Sequence, residues 1–203
     1  MYTSKLNRNE NTEELHHFIR ENGFAILVST VDGKPWATHI PLLLSSDGKK
    51  LSGHISRGNK QWREWNSESE VLAIFSGPHA YISSSWYDHE NVPTWNYIAV
   101  HVYGKLKIQS DQELLQSLKE LTHKYEKHSE HPVSVETMNS AYVKKEMLAI
   151  VGFEIEVTKI EATYKLSQNR DEKNHNNILA ELEKRNDPAS AAIAHEMKKA
   201  GHS

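Results

Sequence analysis

From Gly77 to Gly104 the chain reads GPHAYISSSWYDHENVPTWNYIAVHVYG, with two Trp and four Tyr set among β-forming residues. Trp86, Trp95 and Tyr97 are side chains that could lie against a flat aromatic ligand, while Ser83, Ser85 and Asn96 could hydrogen-bond its edge. Offset stacking of such rings is worth roughly 0.5–1.5 kcal/mol beyond the area buried. The same aromatics could instead fill a core or a subunit interface. A second group, His54, Ser56, Arg57 and Lys60, falls in HISRGNKQW, where a strand gives way to a helix. Unpaired N–H groups at a helix start, with two added cations, favour an anion, and a phosphate fits. The rival reading is a solvated turn carrying ordinary basic residues. This is no Walker loop, because GNKQ lacks the GK[ST] ending.

A third group is WATHIP, where alternation turns Thr38 and Ile40 to one face of a strand and Ala37 and His39 to the other. Thr38 or His39 could reach a ligand's polar edge; a lone strand histidine can equally be a surface or core residue. YKLSQNRDEK carries donors at Lys165, Ser167, Gln168, Asn169 and Arg170, either toward a ligand or simply along a connecting loop. His123, His128 and His131 sit near Glu126 and Glu130, but their spacing diverges on a helix, so no metal site is expected. No HExxH, GxSxG or paired-carboxylate signature occurs. No residue is assigned as catalytic.

These groups need elements to hold them. Asn11 and Glu14 predict a capped helix whose Leu15, Phe18 and Ile19 share a face, ending at Asn22-Gly23 in a left-handed stop. GFAILVSTV, WATHIPLLL and KKLSGHIS read as strands, joined by turns at Asp32-Gly33 and SSDG. A short helix is expected over Arg57–Trp65. EVLAIFSG and HAYISSS then read as a fourth and a fifth strand, and TWNYIAVHVYGKLKIQ as a long sixth. Asp111 is expected to cap a helix through Tyr125, and a second helix should run from about Val135 to Lys145. AIVGFEIEVTKIEATYKLS returns to strand, and Asp187-Pro188 starts an Ala-rich last helix. The pattern predicts a β-rich α+β fold, a closed or nearly closed antiparallel barrel with helices around it. It lacks βαβ alternation, so a Rossmann fold is not expected. Residues 1–170 read as the barrel domain and 171–203 as a helical C-terminal extension.

The 203 residues suffice for one domain with a small appendage. A formal net charge of −3 gives no overall positive field toward nucleic acid. With no cysteine, disulfides and thiol catalysis are excluded, and a reducing cytoplasm is the expected location. No apolar run approaches the roughly 20 residues that span a bilayer, and the first residues show no secretory pattern, so no membrane association is expected.

Several segments in order, HIPLLL, GHISRGNKQW, GPHAYISSSWY, VPTWNYIAVHVYG, IVGFEIEVTKIE and YKLSQNR, resemble the PaiB-type negative transcriptional regulators of protease synthesis and sporulation. The resemblance runs from Met1 to about Arg170. It implies an FMN-binding split β-barrel of the pyridoxamine-phosphate-oxidase-like kind, working as a homodimer with flavin at the subunit interface. On that implication His54, Ser56, Arg57 and Lys60 cradle the FMN phosphate, and Thr38 and His39 lie near the ribityl chain or ring edge. Ser85, Trp86, Trp95 and Asn96 close over the flavin, with Gln168 reaching the same pocket. Two departures stand out: Ser84 replaces the proline usual in the family's S-P-S-W-Y motif, and the loop Asp88–Asn91 is short. Ser in place of Pro frees the backbone.

Three functions are compatible with these residues. The first is a flavin-binding repressor acting on DNA or through a regulatory protein partner; no helix-turn-helix is visible, so DNA contact would fall to local patches such as Lys49-Lys50 or Lys144-Lys145. The second is an FMN-dependent oxidoreductase. The third is a haem-binding or flavin-free relative of the same fold.

Overall fold

The computed structural model describes residues 1–66 and 70–201, so the tail is followed as far as Gly201. Among the described residues there are seven strands: β1 (Phe24–Val31), β2 (Lys34–Pro41), β3 (Leu43–Leu44), β4 (Lys50–Ser56), β5 (Glu70–Ile82), β6 (Thr94–Ile108) and β7 (Ile150–Lys165). They hydrogen-bond in the order β2-β1-β5-β6-β7-β4-β3. Five α-helices accompany them: α1 (Thr12–Glu21), α2 (Asp111–Glu126), α3 (Ser140–Met147), α4 (Glu172–Lys184) and α5 (Pro188–Ala200). Two compact units divide the chain. One comprises Met1–Leu15, Phe75–His101 and Glu161–Ser203, and the other His16–Ile74 and Val102–Ile160.

The second unit holds β1 to β4 and the basic segment. Asp32 and Gly33 both take positive φ, 51° and 70°, which makes the two-residue turn that pairs Val31 with Lys34 across β1 and β2. The second strand does not run on to Leu44 as expected. It stops at Pro41, which has no N–H to give, and the Leu42 N–H instead donates to the Gly23 carbonyl at 2.7 Å. Leu51, Gly53 and Ile55 alternate inward along β4, which pairs antiparallel with β7 from Ser56↔Ile150 to Lys50↔Glu156. β2 and β4 also approach each other, so the sheet curls toward closure within this unit. Its core gathers Leu27, Leu42, Leu51, Ala73 and Ile155, with Trp65 set edge-on to Phe153 at 5.0 Å.

Helix starts follow side-chain capping, with two adjustments. Asn11 caps α1 as expected, its Oδ1 accepting from the N–H groups of Glu13 and Glu14 at 3.1 and 3.2 Å. Gly23 is not the expected left-handed stop; among the described glycines only Gly33, Gly48 and Gly201 have positive φ. Gly23 is small for space instead, because a Cβ there would come within 2.7 Å of Tyr125 Oη and 3.1 Å of the Leu42 carbonyl oxygen. The cap of α2 is Ser110 rather than Asp111. Ser110 accepts from the Glu113 N–H while Glu113 reaches back to the Ser110 N–H, closing a capping box. α3 starts later than Val135, at the point where Asn139 Oδ1 accepts from Ala141 and Tyr142.

The first unit holds the aromatic segment and the tail. The expected fourth and fifth strands are one strand, β5. Burial falls on odd positions (Val71, Ala73, Phe75) and then on even ones (Ala80, Ile82), so the alternation changes phase across Gly77-Pro78 while the backbone runs on. Asp187-Pro188 starts α5 as expected, with Asp187 Oδ1 accepting from Ala189 and Ser190. α4 and α5 turn Ile178, Leu182, Ile193 and Met197 fully inward.

Candidate functional site

Three of the polar residues around the basic segment are fastened by one another. Thr38 Oγ1 donates to Gln61 Oε1 at 2.7 Å and accepts from Asn59 Nδ2 at 2.9 Å. Gln61 has no exposed surface; its Nε2 donates to Ser29 Oγ at 3.0 Å and to the Leu27 carbonyl at 3.3 Å. Its own N–H donates to Asn59 Oδ1 at 3.0 Å, which caps the short 3-10 helix Lys60–Glu64. Sequence reasoning singled out Thr38 but passed over Gln61. The available signal was a neutral amide inside an otherwise basic, solvent-facing run.

Arg57 is braced rather than loose. Its Nε donates to the Leu148 carbonyl at 2.8 Å and its Nη2 to the Ile150 carbonyl at 2.9 Å. Trp62 Nε1 donates to the Arg57 carbonyl at 2.9 Å, and the Arg57 guanidinium lies 5.9 Å from the Trp62 ring centre. Arg57 Nη1 and the exposed Lys60 ammonium make no bond to any described residue. Ser56 is exposed, and its Oγ accepts from the Gly58 N–H at 3.2 Å, leaving its own proton to give. Ser56, Arg57 and Lys60 thus form an exposed donor set on a fixed backbone, which fits a phosphate. Burial holds the His54 imidazole below its ordinary value, so this ring is neutral at neutral pH. His39 is exposed and stacks near Phe24, with ring centres 6.3 Å apart.

In the other unit Trp95 is half exposed and groups with His79 and Tyr81, ring centres 5.9 and 5.8 Å away. Ser83 Oγ and Ser85 Oγ share a hydrogen bond of 2.9 Å at a single 3-10 turn, Ser84–Trp86. The Arg185 guanidinium lies 4.6 Å from the centre of the Trp86 ring. Asn96 is fully buried, accepting from Ser167 Oγ at 3.0 Å and donating to Met197 Sδ at 3.5 Å. Gln168 Nε2 donates to the carbonyls of Leu6 and Tyr164 at 3.0 and 2.8 Å, while its Oε1 accepts from the Leu166 N–H. Both amides therefore serve the packing of their own unit.

A groove of about 360 Å³ lies elsewhere in the second unit, lined by Leu43, Lys50, Ser52, Gln109, Gln116 and Glu154 among others. It contains none of the residues expected to bind a ligand. No helix among the described residues is long and apolar enough to cross a membrane.

Strand order and solved structures together give the chain a split-barrel fold. The FAD and Heme binding protein from Mycobacterium smegmatis superposes with a TM-score of 0.63 at 16% identity, covering 78% of this chain and 73% of the other. The Flavocytochrome Anf3 from Azotobacter vinelandii gives 0.59 at 14% identity, over 83% and 74%. Likeness at this level of identity establishes the fold alone.

Residues 1–159 match the family described as "Putative FMN-binding domain", and the chain belongs to that family. It is also 44% identical over 200 residues to Protease synthase and sporulation protein PAI 2 of Bacillus subtilis (strain 168), spanning 98% of this chain and 97% of that protein.

Proposed function

We propose that this protein binds flavin mononucleotide as a homodimer and acts as a negative regulator of protease synthesis and sporulation. The observation that carries the flavin half is the donor set on the braced 56–60 backbone, where Arg57 Nη1, Lys60 Nζ and the Ser56 hydroxyl remain free for an anion. These three groups hold the phosphate in this reading. Neutral His54 borders the cradle without adding charge, and Thr38 and His39 lie toward the ribityl chain. Ser85, Trp86 and Trp95 cover the isoalloxazine from the second copy of the chain, while Asn96, next to Trp95, is anchored to Ser167 and Met197, and Gln168 fastens the backbone at Leu6 and Tyr164. The regulatory half is supported by identity to PAI 2 along nearly the whole chain.

Bound flavin would supply a visible chromophore and a redox centre. The protein's own residues supply charge-assisted hydrogen bonds to the phosphate and aromatic surface for the ring. An absorption spectrum of the purified protein, followed by titration with FMN, tests the cofactor. Flavin bands with saturable binding support the reading, and a protein that neither carries nor binds FMN removes it. A gel shift on its own upstream DNA, titrated with salt, tests the regulatory role. Salt-sensitive binding supports direct action on DNA. Its absence moves the action to a protein partner.

A further inference from the structure

The turn Ser84–Trp86 and the residues that follow it as far as Pro93 have little regular structure of their own. Their fasteners come from one place, the segment from Arg170 to Arg185. Asn174, 1% exposed, donates from Nδ2 to Asp88 Oδ1 at 2.9 Å and accepts the Asp88 N–H on Oδ1 at 3.1 Å, a two-way amide bridge. Lys173 Nζ meets Asp88 Oδ2 at 2.8 Å. The Arg170 guanidinium lies 5.1 Å from the centre of the Tyr87 ring. Arg185 covers Trp86 and also donates from Nη1 to the Tyr81 carbonyl at 3.0 Å, so it grips the loop and the strand before it.

All four fastening residues lie beyond the residues 1–159 that define the family. Arrangement at this spot also carries a cost. Tyr87 Oη and Arg170 Nε are buried without a protein partner among the described residues, and such atoms are rare in native proteins. Packing alone would not favour leaving them so. Both can donate, which suits a loop whose completed environment includes an acceptor-bearing ligand. The cation facing Asp88 is Lys173, His89 Nδ1 lies 2.9 Å from Asp88 Oδ1, and Asp171 is the nearby like charge; the hydrogen bonds from Lys173, His89 and Asn174 hold the Asp88 carboxyl well below the usual range.

We infer that helix α4, the first of the two tail helices, is the positioning element of the Trp86–Asp88 loop, with Arg185 at its C-cap and the Asp88–Asn174 bridge as its main fasteners. The inference rests on the flavin reading only for what the loop covers, not for what holds it. The ligand affinity of the loop is then set from the tail, and a partner or modification acting on α4 would reach the site through these contacts.

Hydrogen exchange on the full chain, with no flavin added, tests the fastening. Arg185→Ala and Asn174→Ala should each speed exchange of the amides at 84–89 by about tenfold, with those at 24–41 unchanged. Arg185→Lys, which keeps the charge but not the planar face, should lie between. Unchanged exchange at 84–89 overturns the inference, as does a rise that is parallel everywhere, which would mean general loosening. FMN titration of the same variants then tests the reading beneath it. If the loop loosens and FMN affinity falls several-fold, both stand. If it loosens with FMN affinity unchanged, the fastening stands and Trp86 is not part of a flavin site.

Discussion

Thr38 and Gln61, 23 positions apart, share a 2.7 Å hydrogen bond that ties β2 to the 3-10 turn after Arg57. Gln61 is the hub: it receives from Thr38 and gives to Ser29 and Leu27. Gln61→Leu keeps the approximate size but leaves the Thr38 hydroxyl proton without its acceptor, and removes the Nε2 donor from the Leu27 carbonyl and the Ser29 hydroxyl. It should cost about 3 kcal/mol, roughly 9 °C in Tm. Thr38→Val should cost less, and the double variant less than the sum of the two. Urea denaturation of the four proteins measures this. Strict additivity would mean that the two side chains do not act together.

Arg57 and Lys60 separate structure from charge. Lys60→Ala removes an exposed ammonium with no protein partner, so FMN affinity should fall about tenfold with no change in urea midpoint. Arg57→Ala removes free Nη1 and also the two bonds to the Leu148 and Ile150 carbonyls, so both affinity and stability should fall. Flavin retention equal to the parent in Lys60→Ala with Arg57→Ala would place the phosphate elsewhere.

Local chemistry was legible in the sequence; long-range pairing was not. The Asn11 cap, the Asp32-Gly33 turn and the Asp187-Pro188 start each depend on neighbours within a few residues, and each is found. The single strand β5 was hidden because its burial alternation changes phase across Gly77-Pro78, which looks in sequence like a break. Gln61 and Asn96 show the same limit from two sides. Residue type marked Asn96 as a ligand contact, yet its partners Ser167 and Met197 lie 71 and 101 positions away. Gln61 attracted no notice because Ser29 and Thr38, 32 and 23 positions off, give it its role. A buried amide and a ligand-binding amide have the same letter.

Acid should weaken the fold in part through two histidines. Burial lowers His54 from its ordinary 6.5, and burial with the N-terminal ammonium lowers His101 despite the opposing Glu161 carboxylate. A depressed folded-state pKa means that the unfolded chain binds more protons once pH falls below about 6.5. The stabilisation is therefore complete above that pH and is lost as pH falls through the folded values. His54→Gln should flatten the decline of the urea midpoint between pH 6.5 and 5 relative to the parent. An unchanged slope would mean that the His54 ring protonates as readily folded as unfolded.

Gly104, near the middle of β6, shows how closely the strands of the second unit approach. A Cβ at this position would overlap the backbone carbonyl oxygen of Glu156 and the Ile155 Cγ2 methyl. A main-chain oxygen inside a ladder cannot swing away as a flexible side chain can, so the strand itself must move. Gly104 has ordinary negative φ, and conformational strain is not the issue. Gly104→Ala should therefore destabilise by about 3 kcal/mol through overpacking, despite the lower chain entropy that alanine brings to the unfolded state. Gly33→Ala provides the contrast, since open space surrounds that turn and only its positive φ of 70° resists. Its cost should be nearer 1 kcal/mol. Comparing the two urea midpoints separates steric contact from backbone strain, and equal losses would mean that the Glu156 carbonyl yields.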